Sequence, residues 1–271
     1  NLNGEEFQLG VYNQISADEE DTLDRRSEAV ASIAFPGLNE DKTDVKGYFG
    51  IEGISIIMDQ LKTHGQLLNK LIALNILKDK TITDTNFIHV SENKTLTGHF
   101  LKEKYLKSFS TKFHRSLGQL SQLVWGKKGP GTAFIYSNLV RVGIEIFQEI
   151  LLQNGYLDYQ ENQSDYIITD DTICYFCGNP FKMHQKNMMS RIESSQTELP
   201  KHKFHPATFI MVTGGSSDET ADMIPEDKQR ILRKVFNSID NVQGKYIKFI
   251  LGSKVMNEGI SLFNVAEVHI L

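Results

Sequence analysis

Residues 132–155 read TAFIYSNLVRVGIEIFQEILLQNG, and this stretch has the pattern of a strand followed by a helix. Residues 132–137 are apolar and rich in β-forming types, which is typical of a strand buried in a parallel sheet. Asn138 can cap the helix that follows, in which apolar residues recur at helical spacing. Asn154 and Gly155 provide a signal for the end of the helix. The stretch therefore predicts one strand–helix unit.

The same alternation continues toward the end of the chain. Further apolar strands are predicted at residues 207–212, 246–251 and 266–271, and a helix opens at Pro225. Alternating strands and helices indicate an α/β fold with a parallel sheet and right-handed crossovers. A polar insertion, at about residues 157–206, interrupts the alternation.

Residues 1–124 carry a different pattern, without a catalytic constellation. Helical stripes are predicted at about residues 58–77, 97–106 and 113–124. The Phe35-Pro36-Gly37 triplet reads as a turn or helix stop. We therefore expect a mostly helical extension or inter-lobe brace over 1–124 and an α/β lobe over 125–271. Since the chain begins at Asn1 rather than Met and ends in an apolar run, we expect a fragment whose lobe is truncated at its C-terminus.

Composition places the chain among ordinary globular proteins, with 40% hydrophobic and 23% charged residues. This excludes collagen-like, coiled-coil and wholly disordered classes. No stretch reaches the roughly 18 apolar residues that a membrane span needs, and the first ten residues lack a signal-peptide core. We therefore expect an intracellular protein that is not secreted and has no membrane partner.

The net charge of −5 is unevenly distributed. Residues 1–60 hold 13 acids and 4 bases, whereas the remaining residues hold 21 acids and 25 bases. A mildly basic remainder is compatible with phosphate contact but does not demand it.

Three loops leave the carboxyl ends of predicted strands, which is where open parallel sheets bind ligands. They begin at Ser137, Thr213 and Gly252. Each loop combines small residues, hydroxyl groups and accessible backbone amides, which suit phosphate oxygens. One such loop is commonplace, but three at one sheet edge favour a nucleotide or nucleic-acid surface.

Several segments together resemble the second RecA-like lobe of superfamily 2 helicases, on the Swi/Snf side. They are residues 134–137, Gly214 with Ser216 and Ser217, residues 227–230, Phe236 with Asn237, and residues 251–262. The chain resembles more closely the helicases of nucleocytoplasmic large DNA viruses, a group that includes the small subunit of the poxvirus early transcription factor. That closer likeness lies in residues 47–50, 110–113, 134–138 and 253–268.

The resemblance implies an ATP-dependent DNA helicase or translocase of viral transcription that uses ATP and Mg²⁺. It also implies roles for individual residues. The residues implied to contact nucleic acid are Ser137, Asn138, Gly215, Ser216 and Ser253. Glu258 and Gly259 would couple the nucleotide site to the nucleic-acid site.

Three motifs of a complete motor are missing from the chain. There is no GxxxxGK[ST] loop and no QxxGRxxR, and no DExH-type acid pair is found within residues 1–124. Since phosphoryl transfer depends on positioning and charge stabilisation, we expect this chain alone to be inactive and to close on ATP held by a first lobe of the same protein. Further expected partners are DNA, with RNA left open, and a viral transcription factor subunit or RNA polymerase, in the host cytoplasm or virion.

Cys174 and Cys177 form a CxxC motif followed by glycine, a common form of zinc knuckle. His184 lies seven positions after Cys177, and His202 and His205 close the same insertion, so two imidazoles can complete a tetrahedral site. We expect the ligands of a Zn²⁺ ion to be Cys174, Cys177, His184 and His205. Two reduced thiols and a redox dithiol remain as alternatives for the motif.

Two other functions compete with a helicase. One is a non-catalytic, zinc-containing module that binds nucleic acid or protein on a RecA-like scaffold. The other is an unrelated Rossmann-like enzyme, which the absence of GxGxxG disfavours.

Overall fold

The computed structural model describes residues 7–8, 29, 31–63, 67, 86–190, 199–215, 217, 221–257 and 259–271, with no side-chain description for 187–190. The chain divides into two compact units. The first comprises Asn1–Leu117 and Arg141–Gln153, and the second comprises Gly118–Val140 and Asn154–Leu271. The domain boundary expected between residues 124 and 125 stays a prediction.

The described residues of the first unit form two small antiparallel sheets and several helices. One sheet pairs β1 (Phe35–Leu38) with β2 (Val45–Tyr48), and the other pairs β3 (His89–Val90) with β4 (Leu96–Thr97). The helices that lie in this part of the chain are α1 (Gly50–Thr63), α2 (Glu103–Phe109), α3 (Thr111–Leu120) and α4 (Glu145–Gln153). These bounds agree with the expected helical character, although residues 64–66 and 68–77 of the first predicted stripe lie outside the described residues.

The core of the first unit is built from phenylalanine rings. Phe35, Phe87 and Phe109 surround Phe100, with ring centroids 5.8–6.5 Å from that of Phe100, and all four side chains are buried. Each large ring removes apolar surface from water and also gains edge-to-face contacts.

A turn or helix stop is expected at Phe35-Pro36-Gly37. The turn is wrong, because these residues form most of β1, whereas a helical segment does end just before them, at Ser32. Proline is tolerated there since a two-stranded sheet consists of edge strands. Gly37 is needed because a Cβ atom at this position would lie 2.4 Å from the side chain of Ile57. A prediction that treats Pro and Gly as residues that end regular structure therefore missed strand β1.

The second unit contains a five-stranded parallel sheet in the order β6-β7-β8-β5-β9. Its strands are β5 (Thr132–Tyr136), β6 (Leu157–Asp158), β7 (Thr208–Val212), β8 (Phe249–Gly252) and β9 (Val265–Ile270). Four of them confirm predicted strands, whereas β6 was missed because two residues carry no usable periodicity. The α/β fold with a parallel sheet is confirmed.

Helices of this unit lie in the insertion and between strands β7 and β8. They are α5 (Phe181–Ser190) and α6 (Glu226–Ile231), and α6 continues as a π-helical turn (Leu232–Phe236). Apolar side chains of this helical segment, such as Leu232 and Phe236, pack with Ile210 of β7 and Ile250 of β8 in one buried cluster. None of the helices in the described part of the chain combines the length and apolar character needed to cross a membrane.

Candidate metal centre and candidate nucleic-acid interface

The carboxyl ends of β5, β8 and β7 lie side by side. Their last paired residues, in register across the sheet, are Tyr136, Gly252 and Val212. Ser137, Ser253 and Thr213 therefore leave the sheet at the same edge. The three loops expected to share one edge do so.

Ser137 and Ser253 are both buried at this edge, and backbone hydrogen bonds fix them there. The N–H of Ser137 donates to the carbonyl of Gly252 (3.2 Å), and the N–H of Ser253 donates to that of Val212 (3.3 Å). The Ser137 hydroxyl oxygen accepts the N–H of Leu139 at 3.1 Å, which closes a short turn. Both serines thus sit in rigid positions rather than on free loops.

Asn138 is the exposed member of the predicted set on the loop after β5. Its Oδ1 atom accepts a hydrogen bond from the Tyr136 hydroxyl at 2.7 Å. This contact leaves the amide nitrogen as the donor that Asn138 can offer to a phosphate oxygen.

Glycines at the same edge allow close backbone approach. A Cβ atom on Gly214 would lie 1.7 Å from the carbonyl oxygen of Ala221, so only glycine fits there. Gly215, beside it, is half-buried. Gly259 has a φ of +113° and is exposed, with nothing within 4 Å of a Cβ position. Ser216 and Glu258 lie outside the described residues, so their expected roles stay predictions.

Four metal-ligating side chains converge in the insertion of the second unit. Ligand atoms of Cys174, Cys177, His184 and His202 all lie within 4.8 Å of one another. The Nε2 atoms of His184 and His202 are 3.2 Å apart, and the sulfur of Cys174 is 3.5 Å from Nε2 of His202. Cys174 and His184 are buried.

The fourth member of this cluster is His202 rather than the expected His205. An isolated antiparallel bridge pairs Cys174 with Pro206, and the N–H of Tyr175 donates to the carbonyl of His205 at 2.9 Å. Because side chains alternate faces along paired strands, His205 points to the face of Tyr175 and away from Cys174. Its ring packs edge-on against Tyr175, with centroids 6.0 Å apart, and burial lowers the pKa of His205.

The loop around the cysteines is ordered by its own backbone. The N–H of Gly178 donates to the carbonyl of Cys174, and the N–H of Cys174 donates to that of Asn179, both at 3.0 Å. Gly178 has a φ of +72°, a conformation that favours glycine. A hydrogen bond from Cys177 lowers the pKa of Cys174 to about 4, and the same bond raises the pKa of Cys177. The thiolate is the form in which a cysteine binds metals.

A buried lysine that the sequence reading missed lies beneath this loop. The Lys248 ammonium donates hydrogen bonds to the carbonyl oxygens of Tyr175 (2.8 Å) and Gly131 (3.1 Å). Burial lowers the pKa of Lys248 to about 7. Its place inside the apolar run 246–251, which predicted a strand, was a signal of burial, but the carbonyl groups that it binds could not be predicted from the sequence.

Comparison with known proteins gives relatives from large DNA viruses. The chain is 47% identical, over 98% of its length, to a protein of Acanthamoeba polyphaga mimivirus provisionally named ATP-dependent RNA helicase L377. It is 28% identical over 58% of its length to an African swine fever virus early transcription factor large subunit homolog. It is 26% identical over 54% of its length to a termination factor NPH-I homolog of the same virus. No family model and no solved structure matches the chain.

The chain spans 23% of the mimivirus relative, 12% of the transcription factor homolog and 19% of the termination factor homolog. The transcription factor relatives bear the name of the large subunit, whereas the sequence resemblance was drawn to the small one. All these names concern helicase or transcription proteins, and the parallel sheet is the RecA-like one that such proteins imply. The chain is therefore similar to proteins of large DNA viruses that are named as helicases or as transcription and termination factors.

Proposed function

We propose that this chain is part of an ATP-dependent helicase or translocase that acts on DNA during viral transcription inside the host cell or virion. The observation that carries the proposal is the 47% identity over 98% of the chain with a relative named as an ATP-dependent RNA helicase. The choice of DNA rests on the resemblance of the sequence to DNA helicases of large DNA viruses. The sheet edge that bears Ser137 and Ser253 agrees with it, because hydroxyls and amides at strand ends suit phosphate oxygens.

In this proposal the lobe holds the nucleic-acid backbone while ATP and Mg²⁺ are held by a first lobe of the same protein. The residues proposed to contact phosphates, without reading bases, are Ser137, Asn138, Gly215, Ser216 and Ser253, so binding is independent of sequence. In this proposal Glu258 and Gly259 couple the closure of the lobe on ATP to the nucleic-acid contacts at this sheet edge. Since the chain has no phosphate-binding lysine loop, it does not hydrolyse ATP alone.

A nucleic-acid-stimulated ATPase assay on the full-length protein tests this proposal. Duplex DNA, single-stranded DNA and RNA are compared as activators, and Ser253→Ala is expected to raise the concentration needed for half-maximal stimulation about tenfold. Ser238→Ala is the control, because it removes only the hydrogen bond from the Ser238 hydroxyl to the carbonyl of Val235 (2.8 Å). The carbonyl of Ser238 accepts from Asn264, just before β9, which places Ser238 at the opposite edge of the sheet. Equal responses of the two variants would contradict the assigned interface, and stimulation by RNA alone would replace DNA as the substrate.

The second candidate is a non-catalytic, zinc-containing module that binds nucleic acid or protein on the RecA-like scaffold. The convergence of two cysteines and two histidines in the insertion favours it. It predicts binding without any nucleic-acid-stimulated ATPase activity in the full-length protein. In both candidates we propose that Zn²⁺ is the ion of the insertion.

A further inference from the structure

The Cys/His cluster has the geometry of a closed metal site, and its position suggests what the metal does. We propose that Cys174, Cys177, His184 and His202 bind one structural Zn²⁺ ion that fastens the insertion to the parallel sheet. This inference rests on the proposal that Zn²⁺ is the ion of the insertion, and it does not depend on ATP hydrolysis.

The distances within the cluster fit tetrahedral zinc. Zn–N bonds of about 2.0 Å and Zn–S bonds of about 2.3 Å place two nitrogens about 3.3 Å apart, and a sulfur and a nitrogen about 3.5 Å apart. The Nε2 atoms of His184 and His202 are separated by 3.2 Å, and Cys174 Sγ and His202 Nε2 by 3.5 Å. These two distances match a tetrahedral zinc site, and all four ligand atoms lie within 4.8 Å of one another.

The hydrogen bond of His202 to the backbone leaves its Nε2 atom available to bind a metal. Its Nδ1 atom lies 2.9 Å from the carbonyl oxygen of Pro200, which can only accept, so Nδ1 carries the proton. The lone pair of Nε2 then points toward His184 and Cys174. A backbone carbonyl that orients the far nitrogen of a metal-binding histidine is a recurrent feature of zinc sites.

The donor set selects the ion and its role. Two thiolates and two imidazoles favour zinc over magnesium or calcium, which prefer oxygen ligands. Four protein ligands fill the tetrahedron and leave no position for a substrate or a reactive water, so the ion is structural.

The cluster is connected to the sheet at two places. The N–H of Ala207, the residue before β7, donates to the carbonyl of Ile173 at 2.7 Å. Lys248, the residue before β8, donates to the carbonyl of Tyr175. A metal that holds Cys174 and Cys177 together with His202 thus fixes the chain on both sides of the insertion against two neighbouring strands.

Aromatic packing adds a further contact between the cysteine loop and the chain before β5. The ring of Phe176 lies 4.6 Å from that of His202 and stacks on Trp125 at 5.7 Å with an interplanar angle of 13°. Trp125 also donates its backbone N–H to the carbonyl of Phe176 at 2.8 Å. The metal-bound loop therefore packs on the segment that leads into β5.

The test is the zinc content of the full-length protein, purified under reducing conditions and measured by mass spectrometry of the metal. We expect about one zinc ion per chain from this site. His202→Gln removes this ion, whereas His205→Gln, the matched control three residues away, retains it. Circular dichroism checks that both variants fold.

A spectroscopic measurement covers the case in which His202→Gln fails to fold. Wild-type protein loaded with Co²⁺ in place of zinc is expected to show thiolate-to-cobalt absorption that disappears in Cys177→Ser. A folded wild-type protein without zinc, cobalt loading without thiolate absorption, or loss of the ion in His205→Gln but not in His202→Gln would each overturn the proposal. ATPase activity of the same samples reports separately on the motor function, so the two proposals fail by different signals.

Discussion

Asn241 and Ile247 exchange two hydrogen bonds through the side chain of the asparagine. Its Nδ2 atom donates to the carbonyl of Ile247 (3.0 Å), and its Oδ1 atom accepts the N–H of Ile247 (2.9 Å). The same side chain also donates to Phe236 and accepts from Tyr246. A buried amide thus closes the connection between α6 and β8, the strand that leads to Ser253.

Asn241→Ala is expected to destabilise the second unit by about 3–5 kcal/mol, because four hydrogen bonds of about 1 kcal/mol each are lost and buried partners stay unpaired. Denaturant unfolding measures the effect. Asn237→Ala is the control, since its hydrogen bonds to Ser261 and Phe263 are exposed, and it should cost less than about 1 kcal/mol. Similar losses of unfolding free energy in the two variants would contradict the role assigned to the buried Asn241 side chain.

Gly155→Ala is expected to cost about 2–4 kcal/mol, from left-handed backbone strain and a steric clash together. Gly155 has a φ of +87°, and an added Cβ atom would lie 2.3 Å from the carbonyl oxygen of Asp171. Gly126→Ala isolates the backbone contribution, because Gly126 has a φ of +80° with nothing within 4 Å. Thermal melts of both variants test this, and a larger loss for Gly126→Ala would refute the steric argument.

Removal of zinc is expected to make the insertion more mobile while the parallel sheet stays folded. Binding of a metal to the folded state alone adds its binding free energy to stability, so chelation should lower the melting temperature. Limited proteolysis should then cut faster within residues 157–206 than elsewhere. If chelated and zinc-loaded proteins are cut at the same rate there, the ion does not hold the insertion.

Glu267→Gln is expected to reduce the dependence of stability on acid pH. Burial alone would raise the pKa of Glu267, but hydrogen bonds from Lys128 and His269 outweigh it and lower the pKa. A carboxyl with a lowered folded pKa adds stability above its unfolded pKa of about 4.3, and this stability is lost as the pH falls below it.

The contribution of this carboxyl should not exceed about 1 kcal/mol, because the pair with Lys128 is partly exposed. Unfolding free energies of the variant and the wild type are compared between pH 3 and about pH 6. A difference that persists unchanged at the acid end would show that Glu267 acts through packing rather than charge.

Much of the fold could be predicted from local pattern. The run from Thr132 to Gly155 predicted β5 and the helix after it, and both are present. The short strand β6 and the Pro-containing strand β1 could not be predicted, because their pairing depends on distant partners rather than on their own periodicity.

The candidate site likewise has features that the sequence predicts and features that only the folded chain shows. Strand order along the chain was enough to place Ser137 and Ser253 at one sheet edge, since parallel strands end on the same side. The CxxC spacing was enough to indicate a metal ligand pair, because two cysteines three positions apart can reach one ion. These features depend on residue types and spacings that can be seen directly in the sequence.

The choice between His202 and His205 needed the folded chain. Both histidines follow the cysteines by similar lengths of sequence, and nothing local separates them. The bridge between Cys174 and Pro206 places His205 on the face of Tyr175 and away from Cys174, whereas the ring of His202 lies against the sulfur of Cys174. The partners of Lys248 were hidden for the same reason, since the carbonyl groups that it binds come from distant parts of the chain. Periodicity and spacing are local properties of a sequence, whereas the partner of a side chain is set by which segments pair across the fold.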